Sequence, residues 1–181
     1  MYIAEQLQKK SRAEYILYLW QIEDTIRAFG CDFDKLKANY LSRFDWNEEQ
    51  RTKAEKWYED LCCMMHEEGV TKSGHLQITK GVMSNLEELH DSLLKAEGKY
   101  PDYRAAYMAV LPFIVELRSK YADKPASELE TCLNATYAVA LMRMQGKTVS
   151  EGTLDAIKKI SNMLSLLSSY WLKDKTEPLE F

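Results

Sequence analysis

The chain has 181 residues, of which 46% are hydrophobic and 29% charged, and its formal net charge is −4. This length suits one domain with a sizeable core, and only seven glycines and four prolines argue against a turn-rich sandwich or barrel. Because proteins that bind nucleic acid normally have a basic face, the acidic balance argues against that function.

The N-terminal part of the chain predicts a short lead-in helix over residues 2–9 and then a long helix that begins at Ser11. That long helix runs to about Phe29 and ends at Gly30, a residue suited to a helix stop. It includes the segment AEYILYLWQIEDTIRAF, which is apolar nearly all the way round the helix. We therefore expect other helices to cover it on more than one side, and its charged residues to be paired, to lie in a cleft or to meet another subunit.

Two further helices precede the first irregular segment. One covers residues 33–43, and the next begins at Asn47, with two glutamates in its first turn, and ends at Gly69. Residues 70–79, VTKSGHLQIT, break the helical pattern. They predict an ordered loop or a short extended piece.

The remaining helices follow the same start and stop signals. A fourth helix is predicted over residues 79–98, and a fifth begins near Pro101 with an apolar stripe that extends to Tyr121. Pro112 lies inside this fifth helix and predicts a kink or a break, because proline removes a helical hydrogen bond.

The last two predicted helices begin at serine caps. Ser127-x-x-Glu130 matches a capping box, which would use the Glu130 carboxylate at the helix start, and this helix ends at Gly146. The seventh helix begins at Ser150. The predicted fold is therefore all-α: a single-domain bundle of about seven helices with short connections, over residues 1–172, followed by a charged tail over residues 173–181.

The cellular setting follows from the N-terminus, the hydropathy and the cysteines. The N-terminus lacks the apolar core of a signal peptide, and the longest apolar windows are too short to span a bilayer. The four cysteines have no CxxC spacing, so reduced, mostly packed thiols are expected. These features predict a cytoplasmic protein that does not bind membranes.

Four segments of the chain resemble a known family: AEYILYLWQIED near the start, GHLQI at 74–78, ELR at 116–118 and ELETC at 128–132. The family is an uncharacterised domain of unknown function, found in small all-helical bacterial proteins of about this length. The resemblance covers almost the whole chain. It implies an α-helical fold and a bacterial cytoplasmic setting, and it supplies no reaction, substrate or catalytic residue.

The long N-terminal helix contains three of the candidate ligand-binding residues. Glu23 and Arg27 lie four apart and can pair along one helix face, and Trp20 precedes Glu23 by three. Two interpretations stay open. Arg27 could hold an anionic or aromatic ligand beside Trp20, or the two charges could form an ion pair packed against a neighbouring helix or subunit.

His75 and Arg118 complete the set of candidate ligand-binding residues. His75 lies in the one non-helical segment between long helices, where it could form the lip of a pocket or bond a backbone carbonyl and hold the loop down. Glu116 and Arg118 lie two apart and point to different sides of their helix. An enzyme would gather Glu23, Arg27, His75 and one of these two residues into one pocket.

No metal or cofactor is expected. Glu87-x-x-His90 has the spacing of di-iron ligands in helical bundles, but the chain offers no second Glu-x-x-His to complete such a site. The same acidic helix lacks the partner motif that a magnesium site needs. Adjacent Cys62 and Cys63 are expected to be packed rather than reactive, because no fixed positive charge lies near them in sequence.

Two functions from different classes remain. The favoured one is a non-catalytic helical protein that binds itself, another protein or a small ligand, because 11 tyrosines and 4 tryptophans supply contact surface at low entropic cost. It predicts a homo-oligomer, most simply a dimer. The alternative is an enzyme with a pocket built from Glu23, Arg27 and His75, although no complete catalytic motif is present.

Overall fold

The computed structural model describes residues 1–120 and 126–181, and for Lys120 the backbone alone. The described residues contain helices and no strand, so the all-α prediction is confirmed. A short 3-10 turn, Leu41–Arg43, follows the third helix. In chain order the α-helices are α1 Tyr2–Lys10, α2 Arg12–Ala28, α3 Phe33–Asn39, α4 Glu48–Glu67, α5 Gln77–Lys95, α6 Pro101–Lys120, α7 Glu128–Met144 and α8 Glu151–Thr176.

The ends of α4 show how local sequence sets helix boundaries. The Asn47 side chain accepts the Gln50 N–H at 2.9 Å, and the Gln50 side chain accepts the Asn47 N–H at 3.1 Å, which completes a capping box. At the other end Gly69 takes a φ of 68°, and the Val70 N–H bonds back to the Met65 carbonyl at 3.0 Å. Both ends of α4 agree with the prediction to within two residues.

The chain divides into two compact units. The first contains residues 1–9 and 14–82, and the second contains residues 10–13 and 83–181. The core of the first unit is a cluster of buried apolar side chains: Ile22, Ile26, Cys31, Leu36, Leu41, Tyr58, Leu61, Cys62, Met65, Val70 and Leu76. In the second unit α6, α7 and α8 pack against one another. The organisation as a single domain over residues 1–172 stays a prediction.

Helix α2 is buried as its composition predicts. Ile16 and Trp20 lie outside its main apolar stripe, yet 0% and 2% of their surfaces are exposed, and Leu17 is half-buried. Glu23, on the same helix, is also buried. A buried carboxylate on a covered helix requires partners, and these determine the first candidate site.

Two predicted boundaries differ from the structure. Helix α6 continues through Pro112, so of the two alternatives at that position the break does not occur. Tyr121, the last residue of the predicted stripe, lies outside the described residues. Helix α8 extends to Thr176, four residues into the predicted tail, and the Leu179 N–H then bonds the Asp174 side chain at 2.8 Å. None of the described helices combines the length and the hydropathy needed to cross a bilayer.

Candidate functional site

Glu23 anchors the connection between α4 and α5. Its Oε1 accepts the Leu76 N–H at 3.1 Å and the Thr79 hydroxyl at 2.8 Å, while its Oε2 lies 2.6 Å from His75 Nδ1. Glu23 is 1% exposed, so these three contacts replace the water that the carboxylate loses on burial. Its first role is therefore to hold the N-terminus of α5 and the residues before it.

Arg27, one turn further along α2, binds the same connection through main-chain oxygens. Its Nε and Nη2 donate to the Val70 carbonyl at 3.3 and 3.2 Å, and Nη2 also donates to the Gly74 carbonyl. Its Nη1 pairs with Asp24 at 2.8 Å. The predicted Glu23–Arg27 pair is wrong, because each side chain finds its partners in the loop or, for Arg27, three residues earlier on the helix.

His75 stacks on Trp20. The ring centroids are 4.6 Å apart and the planes differ by 17°; Trp20 is buried, whereas the His75 side chain is 32% exposed. The prediction that His75 would bond a backbone carbonyl is wrong, because its Nδ1 faces the Glu23 carboxylate. Within the described parts of the chain, His75 Nε2 has no partner. A carboxylate that orients one imidazole nitrogen in this way leaves the other able to exchange a proton.

The first unit therefore brings together four of the predicted residues, Trp20, Glu23, Arg27 and His75. Their contacts are mostly structural: Trp20 is buried, Glu23 has three partners, and Arg27 is bound to loop carbonyls. Only the Nε2 edge of His75 remains for a solute. One accessible imidazole edge does not define a reaction.

The second unit contains a separate buried polar cluster around His90. His90 Nδ1 lies 2.6 Å from the Tyr103 hydroxyl, and His90 Nε2 lies 3.8 Å from Glu128 Oε2. Burial lowers the pKa of the His90 imidazole, although the nearby Glu128 carboxylate opposes this effect. Burial and a hydrogen bond to Glu128 raise the pKa of Tyr107 to about 12. The cluster therefore keeps a neutral histidine in the core.

The Glu87-x-x-His90 spacing does not create a metal centre in the described residues. Glu87 accepts the Ser127 hydroxyl, and His90 faces Tyr103. Across residues 1–120 and 126–181, no group of three or more histidine, cysteine, aspartate or glutamate side chains is placed to hold a metal ion. This motif thus joins α5 to its neighbours by ordinary hydrogen bonds.

A cleft of about 1070 Å³ opens between α6, α7 and α8 in the second unit. Its wall is mostly apolar and includes Phe113, Leu117, Ala138, Val139, Ala156 and Ile157. The residues that face the space from α7 and α8 are often small, as at Ala135, Ala138, Gly152 and Ala156. Small side chains on two neighbouring helices leave the volume between them unfilled. This space is the main concave feature near which polar side chains gather.

Polar side chains line part of the cleft, and one of them is the predicted residue Arg118. Its side chain is 41% exposed, and its Nη1 lies 3.9 Å from Glu128 Oε1. Glu116 and Asn134 line the same cleft. Arg118 therefore belongs to a different site from the one that Trp20, Glu23, Arg27 and His75 form in the first unit.

Glu130 is a site residue that the sequence analysis assigned to another role. The Ser127 hydroxyl accepts the Glu130 N–H at 3.1 Å, as predicted, but the Glu130 carboxylate does not complete the capping box. It lines the cleft instead, half-buried, and has no partner among the residues that the structure describes. The spacing Glu130, Asn134, Ala138 places all three on one face of α7, which was the available signal.

Comparison with known proteins identifies the family alone. No curated protein and no solved structure matches the chain. A family model described as Domain of unknown function (DUF4924) matches residues 1–178, nearly the full length, and so confirms the resemblance to a family of unknown function. The chain belongs to the family of this domain of unknown function, DUF4924.

Proposed function

We propose that this protein is a non-catalytic, small-ligand-binding protein whose site is the cleft between α6, α7 and α8. The observation that carries the proposal is the cleft itself, about 1070 Å³ with a largely apolar wall. Ligand sites in proteins are typically about 300–1,000 Å³, mostly apolar, with a few polar groups that orient the ligand. Glu116, Arg118, Glu130 and Asn134 supply such groups here.

The alternative, an enzyme with a pocket built from Glu23, Arg27 and His75, has less support. Glu23 and Arg27 spend their hydrogen bonds on the connection between α4 and α5, so neither is available to bind a substrate without loosening it. The Nε2 edge of His75 alone supplies a base without a reacting partner. Binding in the cleft requires no such loss.

Fluorescence of an apolar dye tests the proposal. N-phenyl-1-naphthylamine, a neutral fluorophore, should brighten on binding to the full chain, and Ala138→Trp should abolish this signal by filling the cleft. Ala140→Trp is the matched control, because Ala140 is an exposed residue of the same helix that does not line the cleft. Equal dye binding by both variants, with circular dichroism unchanged, would contradict the assignment.

A second proposal, self-association, has an observation of its own. Apolar residues at spacings of three and four, Ala105, Met108, Pro112 and Val115, form an exposed face on α6. Met108 is 58% exposed and Val115 is 61% exposed. Contiguous exposed apolar surface of this kind is typical of protein contacts, and a two-fold dimer is the commonest way to cover it.

Light scattering during size-exclusion chromatography tests the dimer. The wild-type chain should elute as a dimer at tens of micromolar, and Met108→Glu should shift it to monomer because a charge would enter the contact. Met144→Glu should leave the dimer intact, since Met144 is equally exposed but lies on α7. A wild-type monomer at that concentration would refute this second proposal.

The setting is also a proposal. A bacterial cytoplasm is supported by the family resemblance and by four free cysteines, three of them buried. A protein partner at the α6 face would be an alternative occupant to a second copy. The net charge of −4 supports neither a nucleic-acid partner nor an anionic membrane surface.

A further inference from the structure

We infer that the ligand of the cleft is an amphipathic amine, an apolar body with one cationic ammonium group, and that the Glu130 carboxylate binds this group. The inference rests on the proposed binding function of the cleft and goes beyond it by assigning the chemical class of the ligand. It starts from a half-buried carboxylate that lines the cleft without a partner in the described chain.

The state of Glu130 is unusual for a half-buried acid. Its own N–H is bound by the Ser127 hydroxyl at 3.1 Å, but the carboxylate neither closes the capping box nor forms an ion pair with a described residue. Burying part of a carboxylate removes water that some other donor must replace. An ammonium group supplies both the opposite charge and several N–H donors, so it complements this carboxylate best.

The charges around the cleft favour a cation over an anion. Glu116 and Glu130 line the space on the acidic side. Arg118 is the basic residue among the described lining residues, and its guanidinium already lies 3.9 Å from the Glu128 carboxylate. An anionic ligand would compete with Glu128 for Arg118 and would approach two further carboxylates.

The N-terminus of α8 also borders the cleft, and a helix N-terminus attracts anions in general. Here the Ser150 hydroxyl accepts the Thr153 N–H at 3.2 Å, and Glu151 places a carboxylate in the first turn. Both groups offset the positive end of the helix. This end of α8 therefore does not reverse the preference for a cation.

The order of residues along α7 gives the ligand a direction. Glu130, Asn134 and Ala138 are each four residues apart, so they follow one another on one face over about 12 Å of helix axis. The Asn134 amide oxygen can accept a second ammonium N–H, and Ala138 lies where the apolar wall continues. The ammonium group would lie at the Glu130 end and the apolar body at the Ala138 end.

Competition with three ligands of equal chain length tests the inference on the full chain. N-octylamine, n-octanol and n-octanoate would each displace N-phenyl-1-naphthylamine, with the dye signal as readout. We expect the amine to bind wild type at least tenfold more tightly than the alcohol, as a charge-assisted hydrogen bond gives roughly 10- to 100-fold. Glu130→Gln should remove this advantage and leave the affinities for the alcohol and the dye unchanged. Glu151→Gln, an exposed acid beside the cleft that does not line it, is the matched control.

The outcomes separate this inference from the proposed function. Equal binding of amine and alcohol by wild type, or an unchanged amine preference in Glu130→Gln, would overturn the inference while dye binding that Ala138→Trp abolishes leaves the cleft as the site. Tightest binding of octanoate would overturn it in favour of Arg118. Failure of the dye and of all three ligands to bind would refute both.

Discussion

Removal of the Glu23 carboxylate tests most directly how the connection between α4 and α5 is held. In Glu23→Ala the buried Leu76 N–H and the Thr79 hydroxyl lose their acceptor. Each unsatisfied buried donor costs about 1–3 kcal/mol. The His75 side chain is 32% exposed and can turn to water at little cost. We expect the free energy of unfolding to fall by about 4 kcal/mol from these two donors, against a total of roughly 5–15 kcal/mol for a typical domain.

The assay is urea denaturation followed by circular dichroism, together with hydrogen exchange of the Leu76 amide, which reports on the first unit directly. Asp24→Ala is the matched control: the neighbouring Asp24 side chain is 47% exposed, and its ion pair with Arg27 is worth less than about 1 kcal/mol. If Glu23→Ala and Asp24→Ala unfold at the same midpoint, and the Leu76 amide keeps its protection in both, the reasoning is refuted.

Three further predictions concern pH, the Arg27 contacts and the thiols. Because burial lowers the pKa of His90, the unfolded chain binds a proton below pH 6.5 that the native chain does not, so stability should fall as the pH drops below that value; urea melts of His90→Gln should show a flatter fall, and parallel curves would contradict this. Arg27→Lys should cost about 1–2 kcal/mol in thermal melts, because an ammonium cannot bind the Val70 and Gly74 carbonyls as the guanidinium fork does, and an unchanged melting temperature would oppose that. Ellman's reagent should react rapidly with one thiol in the native protein and with none in Cys63→Ser, since the other three cysteines are buried; rapid reaction of a second thiol would count against the packing.

Much of the fold could be predicted because helix boundaries depend on local chemistry. The Asn47 cap and the Gly69 stop are decided by residues within one turn of each end, so sequence alone locates them. Pro112 is different, because tolerance of a proline depends on the surroundings of the carbonyl that it deprives of a donor. That carbonyl belongs to Met108, which is 58% exposed, so water can satisfy it and the helix continues.

The candidate sites could be predicted less completely. The convergence of Trp20, Glu23 and His75 was predictable, because charges on a covered helix require partners and the nearby loop is polar. The Glu23–Arg27 pair was not correct, since spacing along one helix does not reveal acceptors more than 40 residues away in sequence, such as the Val70 carbonyl.

The cleft could not be predicted at all. It is empty space between three helices, and small residues such as Ala138 indicate it only after the packing is known.

Main-chain atoms supply most of what α2 holds in the loop of residues 70–76. Arg27 binds the carbonyls of Val70 and Gly74, and Glu23 binds the amide of Leu76. Nearly every amino acid has these atoms, so the loop can drift in sequence during evolution without losing its attachment. Selection would fall instead on the two helix positions, which places the constraint on the side chains that grip rather than on the segment that is gripped.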